Sequence, residues 1–245
     1  MKRNITFLAL AFAAYFLVGF ASQPNFFEGK ITYKCAYESY QSGMTAEELT
    51  AMYGDTYTLY IKDGYYKQIF NSTHPQGIRE VIYDASTNKV YMKIGDVPAL
   101  FWYEGTSNDF DLVDLSMSES QTKVLENACN QIKFNFVDKR TSSNSPVTST
   151  YYFSRKFMLN ANAFQNHKYG FWDVYSQKAQ APYLKYERVT KGLNKITRVA
   201  VDIQEQILKT DDFMINPELP LIHFDDADWE NLPIEKPVMA STTRA

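Results

Sequence analysis

From Phe27 onward the chain is written in short alternations of apolar and polar residues. In FEGKITYKCAYES, Ile31, Tyr33, Cys35 and Tyr37 fall on one face and Thr32, Lys34 and Glu38 on the other, a period of two that predicts a half-buried strand. The segment TAEELTAMYG interrupts the alternation: Thr45 followed by Glu48 is a capping box, and Gly54 supplies the left-handed residue that ends a short helix. TYTLYIKDGYYKQIF then holds two aromatic-rich runs joined by Asp63-Gly64, the dipeptide suited to a tight two-residue hairpin. EVIYDASTNKVYMKIG repeats the arrangement with a longer turn between Asp84 and Asn88, and ALFWYEG adds another strand.

Residues Thr106 to Gln121 are rich in Ser and Asp and read as a connection. Four strand runs follow, KVLENACNQIKFNFV, STYYFSRKFML, PYLKYERV and KITRVAVDIQEQIL, with a polar turn at Arg140 to Val147. Between the second and third lies NHKYGFWDVYSQKAQ, irregular or briefly helical. So many alternating strands need one large sheet with an apolar and a wetted face, and the apolar face must be covered by curling, by a second layer or by the short helices. The expected fold is therefore mainly β: a large curved antiparallel sheet, a half-open barrel, with one or two short helices over the open side.

The ends are different. Lys2 and Arg3 precede an apolar run from Ile5 to Phe20, and Gly19 and Ala21 occupy the −3 and −1 places of a cleavage site before Ser22, which is the order of a secretory signal. The run is short of the roughly twenty residues a spanning helix needs, and no cysteine stands at its end to carry a lipid. The division expected is a signal peptide over residues 1–21, a single β domain over 22–224, and a flexible acidic, Pro-containing tail over 225–245. The mature protein is expected to be soluble in the periplasm, or extracellular and associated with the outer membrane.

Composition narrows the partners. Without Lys2 and Arg3 there are 23 basic against 28 acidic side chains and no basic stripe, which argues against nucleic acid. Aromatic residues are 16% of the chain, mostly 18 Tyr and 17 Phe, as suits pleated and half-buried surfaces. Cys35 and Cys129 lie in strand-like runs; in an oxidising compartment they can pair as a disulfide, or they can stay as small buried residues.

Chemistry-bearing motifs are missing. His74, His167 and His223 have no second histidine at ligand spacing, no CxxC occurs, and no GxSxG turn presents a serine. The acidic strings at Asp211-Asp212 and Asp225 to Glu230 lack the ligand alternation of a calcium loop. No cofactor, metal or catalytic residue is expected, and the protein is read as a non-enzyme.

FEGKITYKCAYES, TYTLYIKDGYYK, VIYDASTNKVYM and the later YYFSRKFML, KYERV and KITRVAVDI resemble, in order and spacing, the secreted GLPGLI-like domains of unknown function, which are in turn similar to the LolA-like lipoprotein-carrier fold. The resemblance spans roughly Phe27 to Phe213. The string that names the GLPGLI group is absent, PYLKY standing in its place. The resemblance implies a curved sheet enclosing an apolar cavity that in the carriers takes up acyl chains.

The candidate cavity residues are Tyr33, Leu59, Ile61, Tyr91, Phe101, Phe134 and Tyr152, all at inward-reading positions, with Trp102, Phe171 and Trp172 near its lip. Burial energetics alone do not separate a lined pocket from a filled core. Two functions follow: an exported envelope protein binding a lipid acyl chain or other hydrophobic ligand, or an interaction module with a filled core that docks on an outer-membrane or periplasmic protein.

Overall fold

The structure is a computed structural model and describes residues 26–139, 145–229 and 231–232. The signal read over residues 1–21 and the end of the tail lie outside the described residues. Among them, twelve strands form one sheet: β1 (Gly29–Ser39), β2 (Thr56–Lys62), β3 (Tyr65–Phe70), β4 (Ile78–Asp84), β5 (Lys89–Ile94), β6 (Leu100–Glu104), β7 (Phe110–Val124), β8 (Asn127–Asp138), β9 (Ser145–Phe153), β10 (Tyr183–Thr190), β11 (Asn194–Glu205) and β12 (Leu221–His223). Their order is β12-β6-β5-β4-β3-β2-β1-β11-β10-β9-β8-β7. Among the described residues two short α-helices, α1 (Ala46–Tyr53) and α2 (Trp172–Ala179), and four brief 3-10 turns complete the regular structure. The chain is thus mainly β, one large open curved sheet with little helix, as its alternation predicts.

Local chemistry explains much of this. Asp63 and Gly64 have φ of 39° and 88°, the two positive angles of a tight turn between β2 and β3. Helix α1 carries its capping box: the Thr45 backbone N–H donates to the Glu48 carboxylate over 2.7 Å, and the Glu48 N–H donates to Thr45 Oγ1 over 3.1 Å. Gly54, with φ of 78°, closes the helix by donating to the Thr50 carbonyl. Asp84 accepts from the Ser86 backbone N–H, fixing the turn before β5.

Three expectations are corrected. Residues 106–121 are not a simple connection: most of them belong to the edge strand β7, and the run KVLENACNQIKFNFV is split by a hairpin at Leu125-Glu126. Both turn residues have positive φ, 46° and 61°, without the Asn or Gly that advertises such a turn, and the Asn127 amide steadies it by donating to the Val124 and Leu125 carbonyls. Strand β7 is exposed on nearly all its middle positions, so burial leaves no apolar alternation to read. Secondly, the sheet is mixed: β12 runs parallel to β6. Thirdly, ordered packing continues past Phe224. Trp229 packs at a tilt against Phe101 at 4.9 Å and Phe224 at 4.4 Å, because Phe101, Val97 and Ile94 form an apolar patch that β6 alone leaves uncovered.

Curvature is visible in what the segment between β9 and β10 touches. His167 stacks on Tyr83 of β4 at 4.1 Å, whereas Phe171 stacks on Phe134 of β8 at 5.9 Å. Those strands stand seven places apart in the sheet. A strap of residues 160–179, ending in α2, therefore bridges the concave face from side to side.

Candidate functional site

Beneath this strap is a cavity of about 710 Å3. Its wall includes Leu59, Phe70, Tyr103, Tyr151, Tyr186 and Trp172. The volume falls within the several hundred to about 1,000 Å3 usual for small-molecule sites. Around it the aromatic core is partly close-packed: Tyr33 stacks on Tyr57 at 4.6 Å and donates from its hydroxyl to the Tyr183 carbonyl, and the Tyr57 and Tyr183 hydroxyls are hydrogen-bonded to each other.

Of the residues the sequence selected, Leu59 and Trp172 line the cavity. Tyr33, Ile61, Phe101, Phe134 and Phe171 are buried in the packed core instead. Three sit on the other face. Tyr152 is opposite Lys185 and Gln131 and donates to Glu187 over 3.0 Å, while its neighbour Tyr151 faces inward. Tyr91 pairs with Ile82 and Trp102, and Trp102 lies under Lys89 and against His223, whereas Val90 and Met92 take the inward places on that strand. The physical reason is the two-residue period: of adjacent aromatic residues in YY or FW, only one can point to the core. Cys35 and Cys129 are both free and buried. They stand on strands four places apart, about 19 Å along the sheet, well beyond the reach of a disulfide.

Sequence reasoning missed the polar groups of the cavity. Arg198 sits on β11 opposite Cys35 and Tyr186, with its guanidinium 4.9 Å from the Tyr57 ring and 5.7 Å from those of Phe70 and Tyr186. It is half-buried and lines the cavity. Arg188 lies on β10 two residues beyond Tyr186 and reaches Asp138 at 3.5 Å. The signal was present in KITRVAVDI: Arg198 has the parity of Ile196 and Ala200, so a strand whose other inward residues are apolar carries one cation.

His167 contacts Tyr66 through Nε2 at 2.8 Å. Burial pushes its imidazole down to about 3, opposed by the nearby Gly105 carbonyl. Burial likewise raises Tyr57, Tyr66 and Tyr183 well into the neutral phenol range, with neighbouring tyrosines adding to the shift at Tyr57 and Tyr66. A neutral imidazole with so low a pKa is a weak base, and neutral phenols are weak nucleophiles. Among the described residues no group of three or more His, Cys, Asp or Glu could hold a metal ion, and no helix is long and apolar enough to cross a membrane.

No family model matches the chain, and no curated protein matches it. Among solved structures it is similar to an uncharacterized conserved protein from Thermus thermophilus, at 7% identity and a TM-score of 0.42, over 80% of this chain and 91% of that one.

Proposed function

We propose that this protein is a non-enzymatic binding protein that takes a hydrophobic ligand, such as a lipid acyl chain, into the cavity beneath the strap. The observation that carries the reading is the cavity itself: about 710 Å3 left open inside a sheet whose other inward positions are close-packed with aromatic rings. A core selected only for stability is filled to near-crystalline density, since voids forfeit dispersion contacts. The secretory pattern at residues 1–21 and the resemblance to the GLPGLI-like and LolA-like proteins support a role in the cell envelope, as a carrier or a sensor.

The test is a titration of the purified protein with a fatty acid or an environment-sensitive apolar dye. Saturable binding near one equivalent is expected, and Trp172→Ala should weaken it several-fold with circular dichroism unchanged. A dye signal that grows without saturation would remove the reading and favour the interaction module. That module is the weaker alternative because Phe171, the aromatic residue at the centre of the segment between β9 and β10, is buried against Phe134 and Phe136 and offers no docking surface.

A further inference from the structure

The buried side-chain nitrogens without a hydrogen-bond partner among the described residues are His167 Nδ1, Trp172 Nε1 and Arg198 Nε. All three residues line the cavity. Orphaned buried donors are rare because each forfeits a bond it makes in water. Two of these atoms, Trp172 Nε1 and Arg198 Nε, can only donate. They flank one pair of rings: Trp172 packs on Tyr183 at 6.3 Å, and Arg198 lies over Tyr57, whose hydroxyl bonds that of Tyr183.

Charge gives the same answer. Arg188 and Arg198 are diagonal neighbours on adjacent strands, a spacing of about 7–8 Å between backbones. Asp138 pairs with Arg188, and no carboxylate among the described residues stands within ion-pair distance of Arg198. The rim carboxylates Asp109 and Asp225 are exposed at the cavity edge. The tyrosines around Arg198 stay neutral, so no protein group matches its charge, and a guanidinium does not shed its proton. A half-buried guanidinium with no carboxylate in ion-pair distance calls for a counter-anion.

We propose that the ligand is a single-chain amphiphile with an anionic oxygen head, a carboxylate in the simplest case, seated on Arg198 and accepting from Trp172 Nε1, with its apolar chain along the aromatic wall. This rests on the ligand-binding reading above and names the class of ligand. The aromatic faces beside the guanidinium hold it in place, and its unpartnered Nε–H is left for the head group.

The experiment compares decanoate with decanol by calorimetry on the wild-type protein and on Arg198→Gln. Wild type should bind decanoate at least about tenfold more tightly than decanol, as expected of one charge-assisted hydrogen-bond set. In Arg198→Gln the two affinities should converge, with decanol little changed. Equal wild-type affinities would overturn the anionic head and leave the cavity reading standing; no binding of either probe would overturn both. A preference that survives in Arg198→Gln would remove Arg198 from the site. Should that variant fail to fold, carboxyl-labelled decanoate bound to wild type serves instead. Its carboxyl resonance should stay that of the ionised form to lower pH than for free decanoate, and titration at or above the free value would refute the assignment.

Discussion

His167 packs against Tyr66 and Tyr83 with its charge suppressed, whereas the same imidazole in the unfolded chain titrates near 6.5. Between about 6.5 and about 3 the unfolded state therefore binds a proton that the folded state does not. Stability must fall as pH falls through that window, by at most about 1.4 kcal/mol per pH unit from this group. Urea unfolding at about pH 7 and about pH 5 should show the loss, and His167→Gln should show a smaller one. An identical loss in the variant would mean that other groups carry it. At this scale the sequence was a partial guide. It supplied Leu59 and Trp172, but it gave no sign that His167 is buried and passed over Arg198. Neighbouring aromatic residues blurred which parity faced inward at Tyr151-Tyr152 and Phe101-Trp102, and only strand register resolves that.

Elements were legible where turn chemistry was explicit. The Asp63-Gly64 hairpin and the Thr45–Glu48 box came directly from local residues whose side chains and φ preferences suit those geometries. The β7–β8 hairpin was hidden because Leu125 and Glu126 adopt left-handed angles against their preference. That makes a direct prediction: Leu125→Asn with Glu126→Gly places the favoured turn dipeptide there, and both side chains are exposed, so little packing is lost. The double variant should be more stable by about 1 kcal/mol in chemical denaturation. A less stable variant would indicate that Leu125 packs in a way its exposure conceals. Strand β12 was illegible for another reason: three residues are too few to show a period, and its position is set by docking beside β6.

At the scale of the molecule, one sheet curls until a single strap can touch β4 and β8, and the strap roofs the space that remains. The fold class was readable because alternation over many strands leaves few ways to cover the apolar face. Whether the interior was full was not, since identical side chains can close a core or line a cavity. The patch under Trp229 shows that the chain beyond Phe224 contributes to this architecture. Trp229→Ala should cost about 2 kcal/mol, less than a fully buried Trp because the ring keeps some exposure. An unchanged midpoint in denaturant would return that segment to the status of a loose tail.

A binding protein of the kind proposed should carry its ligand in the cell. Native mass spectrometry of the protein purified from its own cells, set beside the same sample after denaturation, tests this most directly. The expected result is an added mass that is lost on denaturation and belongs to a single-chain lipid with an acidic head. A bare polypeptide mass, followed by failure to take up fatty acid in the titration, would contradict it and leave a protein whose surface rather than its interior does the work.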